Sequence, residues 1–237
     1  MIQLIGVSKI YPGSSEPAVN SIDLDIESGE FVFLVGPSGA GKTTLTKLVF
    51  GEVSPTAGNV YFQGKNIARY RPAHLLKHRR SIGVVFQDFR LIKSKTVYEN
   101  VAFALEVVGK SSGEIKLKVP AVLEKVGLSH KHDAFPNQLS GGEQQRVGIA
   151  RAIIKDPLVI LADEPTGNVD PNTAREIMKL FEMINEEGTT VVVATHAWEL
   201  VGEMNKRVVS IEEGYINSDS KHSASRGMVG SGQESYS

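Results

Sequence analysis

The segment 30–50 constrains this chain more than any other. A short apolar run at 31–35 precedes a glycine-rich stretch, and apolar residues at helical spacing follow it. The glycine-rich stretch is Gly36, Pro37, Ser38, Gly39, Ala40, Gly41, Lys42, Thr43 and Thr44. The pattern G-x-x-x-x-G-K-T between a strand and a helix is typical of a phosphate-binding loop, in which successive N–H groups point at an anion. We expect Lys42 to reach the β- and γ-phosphates of a nucleotide and the Thr43 hydroxyl to bind Mg²⁺. From composition alone, the pattern would occur by accident in about one chain in a hundred of this length, which disfavours the alternative of a glycine-rich turn without a ligand.

Composition narrows the class of protein without naming a partner. With 237 residues, of which 41% are apolar, the chain can bury one full core or a core with an inserted subdomain. A formal net charge of -1 argues against a protein that holds nucleic acid by bulk electrostatics. The lack of cysteine excludes disulfides and thiolate metal sites, which suits a reducing cytosol. Because the apolar runs are strand-sized and no signal peptide is recognisable, we expect no transmembrane segment, and attachment to a membrane would need some other anchor.

Two kinds of strand are expected. Runs at 2–7, 19–26 and 59–62 are interrupted by polar residues and bounded by turns, which favours an antiparallel sheet. Nearly continuous apolar runs occur at 31–35, 82–86, 158–162 and 190–194. Such runs are typical of parallel strands that are buried on both faces and flanked by helices. The sequence therefore predicts an α/β protein with a mixed, mainly parallel sheet and an N-terminal antiparallel β subdomain.

The helical segments define the rest of the predicted domain. Apolar spacing of three and four at 98–108 and 115–126 predicts helices, so that 88–156 reads as an α-helical subdomain inserted between two core strands. A further amphipathic helix is predicted at 174–185, and a hairpin at 207–216 closes a domain spanning 1–216. The Ser- and Gly-rich stretch 217–237 is predicted to be a disordered tail.

Two adjacent carboxylates end one of the predicted parallel strands. Asp163 and Glu164 follow the apolar run 158–162, at the strand end where ligands of parallel sheets bind. We expect Asp163 to hold Mg²⁺, directly or through water, and Glu164 to orient and deprotonate an attacking water. The alternative is that the two carboxylates only cap the helix that follows.

A second glycine motif carries a family resemblance. In Leu-Ser-Gly-Gly-Glu-Gln-Gln-Arg at 139–146, Ser140 and Glu143 fit a capping box that opens a helix at 144–154. Gly141 and Gly142 each cost the helix about 1 kcal/mol, and are explained if their N–H groups must approach a phosphate. The octapeptide resembles the signature motif of ABC ATPases, whose pattern matches the chain to about residue 216. The resemblance implies a P-loop NTPase fold, ATP as cofactor and an ATPase activity.

The resemblance also implies roles for single residues. Tyr11 matches the aromatic residue that stacks on adenine, although an ordinary turn tyrosine is the alternative. Gln87 matches the glutamine that senses Mg²⁺ and the γ-phosphate. The segment 167–170 matches the D-loop and ends in Asp170, with a valine where this subgroup commonly has leucine. His196 matches the switch histidine at the γ-phosphate, although a histidine that is merely hydrogen-bonded is the alternative.

In ABC ATPases two chains enclose two ATP molecules head to tail. Each nucleotide lies between the loop 36–44 of one chain and the turn Ser140–Gly142 of the other. The resemblance therefore implies an ATP-dependent homodimer, whose closure places Glu164, Gln87 and His196 around the reacting phosphate.

Weaker signals indicate a branch of the family. Glu-Pro-Thr-Gly-Asn at 164–168, together with segments 86–90 and 95–101, resembles the branch that acts in cell division. There the ATPase is peripheral on the cytoplasmic face of the plasma membrane and works with an integral membrane partner, which would contact 88–100, to control cell-wall hydrolysis. A transporter or a lipoprotein-release or macrolide-export system is the alternative. A soluble clamp of DNA repair or translation is disfavoured, because such proteins have two cassettes or a long coiled-coil insertion. This sequence shows neither.

Two charged clusters have plainer interpretations. A basic cluster consists of Arg69, Arg71, Lys77, Arg79 and Arg80. It reads as a solvated helix face, with contact to lipid headgroups or to the partner as the alternative. His130 and His132 lack further ligands nearby and are expected to be solvated.

Overall fold

Two β-sheets form the frame of the computed structural model, which describes residues 1–221. The strands are β1 (Ile2–Lys9), β2 (Val19–Ile26), β3 (Phe31–Val35), β4 (Ala57–Phe62), β5 (Lys65–Asn66), β6 (Ile82–Phe86), β7 (Val159–Asp163), β8 (Thr190–Thr195), β9 (Arg207–Glu212) and β10 (Tyr215–Asp219). The α-helices are α1 (Lys42–Phe50), α2 (Pro72–Arg80), α3 (Val97–Glu106), α4 (Ser112–Lys125), α5 (Gly141–Ile153), α6 (Pro171–Glu186) and α7 (Trp198–Met204). No helix within residues 1–221 is long and apolar enough to cross a bilayer.

The smaller sheet is antiparallel, as predicted. Its order is β2-β1-β4-β5, and β1 pairs with both β2 and β4 in antiparallel register. Residues of β2 alternate between buried and exposed, because this sheet has one face on the core and one in solvent. The period-two pattern of the sequence therefore describes this sheet correctly.

The larger sheet holds the buried strands and is mixed, mainly parallel. Its order is β10-β9-β3-β8-β7-β6, with parallel pairs from β9 to β6 and an antiparallel edge strand β10. Every residue of β3 and β8 is buried, as expected for strands covered by helices on both faces. The register pairs Val35 with Thr195 and Asp163 with both Phe86 and Ala194. The carboxyl ends of β3, β8, β7 and β6 thus meet at one edge, where the candidate site lies.

The chain between β6 and β7 forms α-helices and short 3₁₀ turns, without a strand in the described residues 87–158. Helix α3 packs on α4 and α5, while α5 also packs against β6 and α6. The fold is thus an α/β P-loop core with an antiparallel β sheet and a helical region. The limits 88–156 of the predicted insertion remain a proposal, because α5 belongs to the layer on the central sheet as much as to the helical region.

The predicted end of the domain at residue 216 falls inside a strand. Strand β10 continues to Asp219, whose carboxylate oxygens accept hydrogen bonds from Arg207 Nε at 2.9 Å and Nη2 at 2.6 Å. Arg207 also donates to Glu30 at 2.9 Å, so this buried ion pair attaches the last strand to the core. The tail prediction is therefore wrong for the residues up to Asp219. Residues 222–237, on which the rest of that prediction falls, lie outside the described residues.

Candidate active site

The predicted phosphate loop joins β3 to α1 and opens onto a cleft. Gly41 precedes α1 with a φ of 109°, and a Cβ atom there would lie 2.5 Å from the Ala18 carbonyl oxygen. Only glycine fits this position. The cleft has a volume of about 520 Å³ and lies beside the N-terminus of α1, which favours an anion. Its lining consists of Pro37, Ser38, Gly39, Ala40, Gly41, Lys42, Thr43, Thr44, Gln87, Glu164 and His196.

Lys42 is buried at the base of the loop. Its ammonium donates to the carbonyl oxygens of Gly36 at 2.7 Å and Pro37 at 3.0 Å. The same nitrogen lies 3.5 Å from the Glu164 Oε1 atom. The loop's own backbone therefore places a positive charge between the anion-binding N–H groups and the carboxylate predicted to act as base.

Thr43 and Asp163 bring two oxygen ligands together. The Thr43 hydroxyl donates to Asp163 Oδ1 at 3.0 Å. Burial raises the pKa of Asp163, and the nearby Glu164 charge raises it further, while the Thr43 hydrogen bond lowers it. An ionised carboxylate in this position is stabilised by a cation. Mg²⁺ fits this pair, since it takes one or two protein oxygens together with phosphate oxygens and water. Residues 1–221 contain no group of three or more His, Asp or Glu that could hold a metal.

Glu164 is aimed into the cleft by an unusual backbone conformation. Its φ is 47°, in the left-handed region, and its N–H donates to the Ala194 carbonyl oxygen at 2.8 Å. Left-handed backbone at a residue other than glycine costs of order 1 kcal/mol and is concentrated at functional sites. The carboxylate is 16% exposed, and its Oε2 lies 2.9 Å from His196 Nδ1. The structure thus brings Glu164, His196 and the loop together in one cleft.

The helix-capping alternative for the two carboxylates is wrong. Helix α6 is capped by Asp170, whose Oδ1 accepts from the N–H groups of Asn172 at 3.0 Å and Thr173 at 3.1 Å. Asp163 and Glu164 are not part of this cap. Asp170 therefore bonds to the first turn of α6 and is not among the residues that line the cleft.

Gln87 reaches the cleft from the end of β6. Its backbone carbonyl accepts from Asn168 Nδ2 at 2.8 Å. A Cβ atom on Gly167 would lie 2.7 Å from Gln87 Nε2, so the glutamine side chain packs directly on the glycine backbone. The segment 167–170 therefore fixes Gln87 beside the loop.

The structure does not bring the signature motif into this cleft. Ser140 caps α5 and forms the predicted capping box, with Ser140 N–H donating to Glu143 Oε2 at 2.8 Å and Glu143 N–H to Ser140 Oγ at 3.2 Å. The hydrogen bond from the Ser140 N–H lowers the pKa of the Glu143 carboxyl, and the Lys131 charge lowers it further. Within the described residues, neither the two residues of the capping box nor Gly141 and Gly142 line the cleft. The cleft of a single chain is thus without its signature motif.

Gly141 and Gly142 have a packing role that sequence reasoning missed. A Cβ atom on Gly142 would lie 2.3 Å from Thr173 Cγ2, and one on Gly141 would lie 3.0 Å from the Asn168 carbonyl oxygen. The start of α6 therefore requires a glycine at 142, and the segment before α6 packs tightly on Gly141, whether or not a phosphate approaches them. No local signal could have revealed this, because Thr173 is thirty residues away.

Tyr11 lies in the loop between β1 and β2 and does not line the cleft. Its ring is half-buried, with Lys9 Nζ 5.4 Å from the ring centroid. The same loop ends at Ala18, which contacts Gly41. Its role at an adenine base remains a proposal.

A groove beside the cleft was only partly anticipated. It has a volume of about 420 Å³ and lies between α2, β6, α3 and the end of α5. Arg151 fixes the bend after Gln87 by donating to the carbonyl oxygens of Phe89 at 2.8 Å and Arg90 at 2.5 Å. Burial lowers the pKa of Arg151. This arginine, which sequence reasoning missed, holds the surface between the cleft and the groove.

The loop, the buried lysine and the carboxylates at one sheet edge define a nucleoside triphosphatase of the P-loop class. A family model described as ABC transporter matches residues 19–167. The chain is 52% identical to the cell division ATP-binding protein FtsE of Mycobacterium tuberculosis, over 97% of this chain and 98% of that protein. It is also 52% identical to FtsE of Bacillus subtilis, over 98% of this chain and 99% of that protein.

A solved structure agrees with these relatives. A dimeric post-hydrolysis state of the ATP-binding cassette MJ0796, bound to ADP and Pi, superposes with a TM-score of 0.84. It is 36% identical and is matched over 92% of this chain and 97% of its own. The chain belongs to the ABC transporter family and, within it, to the FtsE group of cell division ATP-binding proteins. It is an ABC ATPase that binds ATP.

Proposed function

We propose that this chain works as an ATP-dependent homodimer in which each ATP is enclosed by the loop of one subunit and the signature turn of the other. The observation that carries the proposal is the separation, within one chain, of the cleft from the capped turn at Ser140. A second subunit would supply that turn. The related cassette MJ0796 is dimeric with ADP and Pi bound, which supports the same arrangement.

The roles of the cleft residues follow from their positions. Lys42 would contact the β- and γ-phosphates, and Tyr11 would stack on the base. Thr43, Asp163 and Gln87 would hold Mg²⁺, which supplies charge neutralisation at the phosphates when bound. Glu164 would take the proton of the attacking water, while His196, 2.9 Å away, keeps that carboxylate oriented and faces the γ-phosphate. Closure of the dimer would exclude bulk water from these groups.

The output of this cycle would be delivered to an integral membrane protein, as in the FtsE group with its partner FtsX, to control cell-wall hydrolysis. The groove next to the segment 88–100 supports this, since it joins the bend after Gln87 to exposed apolar side chains, Phe103 and Val107. The chain would then be peripheral on the cytoplasmic face of the plasma membrane. A transporter or a lipoprotein-release or macrolide-export system remains the second candidate, because the membrane subunit determines the substrate.

Mixing two inactive variants tests the composite site. Lys42→Ala removes the phosphate contact, and Ser140→Asp keeps a good helix cap while placing a negative charge against the phosphate. In a mixed dimer one of the two sites combines an intact loop with an intact turn. We expect the mixture to hydrolyse ATP although neither variant does so alone. If the mixture stays inactive while both variants are folded, the head-to-tail arrangement is wrong.

Copurification from mild detergent tests the membrane partner. A four-span protein with a large outer domain would support an FtsX-type partner, and a permease with a substrate cavity would support the second candidate. Val107→Glu places a charge in the groove, whereas Leu117→Glu changes a side chain that is 76% exposed on α4 and outside it. We expect only Val107→Glu to lose the partner. Equal retention by both variants would exclude the groove as the contact.

A further inference from the structure

One segment of the chain holds a strong positive charge that the ATPase site does not use. Residues 53–87 contain six lysines and arginines and no aspartate or glutamate. Because the whole chain has 26 basic and 27 acidic side chains, the remaining residues hold 20 basic against 27 acidic ones. A nearly neutral protein therefore has its positive charge concentrated around α2.

Arg79 is the one member of this set that is committed to the fold. Its guanidinium donates to the Gly51 carbonyl oxygen at 2.7 Å and lies 5.5 Å from the centroid of the Phe50 ring. It is half-buried, so the sequence-based interpretation of the whole cluster as a solvated face is wrong for this residue. The other five are exposed and will be called the basic surface: Lys65, Arg69, Arg71, Lys77 and Arg80.

The basic surface is not neutralised by the protein. Among residues 1–221, none of its five side chains has a carboxylate oxygen within 4.0 Å. Twelve other lysines and arginines in that range do have one. An exposed set of like charges without counter-charges attracts an anionic surface.

Helix α2 presents an apolar residue among these charges. Ala73, Leu76, Lys77 and Arg80 are spaced as one helical face, and all four are exposed, whereas His78 on the opposite side is buried. Leu76 is 51% exposed. Exposed cations on this face can bind lipid phosphates, and an outward leucine among them can enter the headgroup boundary.

A cleft beside α2 extends the same surface. It has a volume of about 770 Å³ and contains three members of the basic surface and several rings, but no carboxylate, among its described lining residues. The cations are Lys65, Arg69 and Lys77, and rings that accompany them are Tyr61, Tyr70 and His74. The cleft therefore has room for the phosphate of a lipid headgroup.

We propose that the basic surface binds the anionic headgroups of a phospholipid bilayer directly, with Leu76 entering the headgroup boundary. This contact goes beyond the proposed function, because it requires neither ATP nor a protein partner. Leu76 and Arg80 also line the groove proposed for the membrane partner. Lipid contact and partner contact would therefore face the same side of the molecule.

Flotation of the purified chain with lipid vesicles tests the proposal. Wild type is expected to float with vesicles of phosphatidylcholine and phosphatidylglycerol, not with phosphatidylcholine alone, and to dissociate as salt is raised. The double variant Arg69→Gln/Lys77→Gln should bind about 25-fold more weakly, since each cation contributes roughly fivefold. The matched control Lys116→Gln/Lys179→Gln has the same net charge and also removes two exposed lysines, neither of which forms an ion pair with any residue of 1–221.

Three results would overturn the proposal. The proposal would be wrong if the wild-type protein did not bind anionic vesicles. It would also be wrong if both double variants lost vesicle affinity equally, because net charge alone would then explain the binding. If the first variant kept vesicle binding but lost copurification with the membrane partner, the basic surface would bind protein instead of lipid. Unchanged ATP hydrolysis in solution shows that both variants are folded and keeps this test separate from that of the ATPase site.

Discussion

At the scale of single residues, Glu164 is the group on which hydrolysis depends. Its carboxylate lies between Lys42 Nζ at 3.5 Å and His196 Nδ1 at 2.9 Å. Glu164→Gln keeps the shape of the side chain but cannot accept the proton of water. We expect ATP binding to persist and turnover to fall at least about a hundredfold, as for loss of a general base. Phosphate release and nucleotide retention measure the two effects.

The control for this variant is Glu52→Gln, which neutralises an exposed glutamate paired with Lys47. It should turn over ATP at the rate of the unaltered protein. Unchanged turnover in Glu164→Gln itself would remove Glu164 from the role of base and would move attention to His196.

Asp163 gives the site a pH-dependent cost in stability. Burial raises its pKa above the unfolded value, so the ionised form destabilises the folded protein at neutral pH, and this cost disappears as pH falls through the folded pKa. Asp163→Asn removes the charge and keeps an oxygen that can accept from Thr43. Without nucleotide, the variant should melt at a higher temperature than wild type at pH 7.5, and the difference should shrink toward pH 4. A lower melting temperature at pH 7.5 would contradict this account.

At the scale of helices and strands, local chemistry determined what the sequence could predict. The predicted runs 31–35 and 82–86 coincide with β3 and β6, because a polar residue bounds each apolar run, Glu30 before the first and Gln87 after the second. Helix α6 begins at Pro171, three residues before its predicted start, because Asp170 caps it and the proline occupies its first position. The missed boundary was readable from Asp-Pro, whereas apolar periodicity alone placed the start too late.

Contacts between distant elements were not readable from the sequence. Arg151 binding the carbonyls at Phe89 and Arg90, and Thr173 filling the space above Gly142, join segments with no shared local pattern. The same applies to Arg79, whose exposed appearance in a basic cluster gave no sign of its hydrogen bond to Gly51. The sequence therefore named candidate residues through local motifs, and tertiary packing decided how they are held.

Helix α2 is attached to the core by a histidine that must stay neutral. His78 Nε2 donates to the Val49 carbonyl oxygen at 2.8 Å, and within residues 1–221 its Nδ1 has no hydrogen-bond partner. Burial lowers the pKa of His78, so the folded state binds its proton less tightly than the unfolded chain. Above the unfolded pKa, near 6.5, His78 is neutral in both states and the folded protein keeps its full stability. As pH falls toward the folded pKa, the unfolded chain binds the proton first and the free energy of unfolding decreases.

His78→Gln should therefore reduce the dependence of stability on pH. The variant is expected to be less stable at pH 7.5, because the ring packs edge-on against Phe62 at a centroid distance of 4.7 Å. Between pH 7.5 and 5.5 its melting temperature should fall less than that of wild type. His74→Gln, at an exposed position on the same helix, is the matched control and should behave like wild type. Parallel curves for all three proteins would exclude His78 as the titrating group.

At the scale of the whole molecule, the loop 36–44 and the turn Ser140–Gly142 lie apart in one chain, and each packs against a different part of the fold. Gly41 closes the loop against Ala18 of the β subdomain, and Gly142 packs against Thr173 at the start of α6. Both turns are therefore packed against other parts of their own chain. Association of two such preformed surfaces, bridged by ATP, needs little reorganisation of either chain.

This arrangement predicts that ATP stabilises the protein in a concentration-dependent manner. In Glu164→Gln, slow hydrolysis leaves ATP bound in the complex. The melting temperature with ATP and Mg²⁺ should then rise with protein concentration, because binding of the second subunit stabilises the folded chain by mass action. Adding Ser140→Asp should preserve the stabilisation by ATP bound to the loop and abolish its dependence on protein concentration. Sedimentation of the same two proteins should give a dimer and a monomer. A concentration-dependent melting temperature that survives Ser140→Asp would mean that the subunits associate through another surface, and that the signature turn has no part in closing the ATP site.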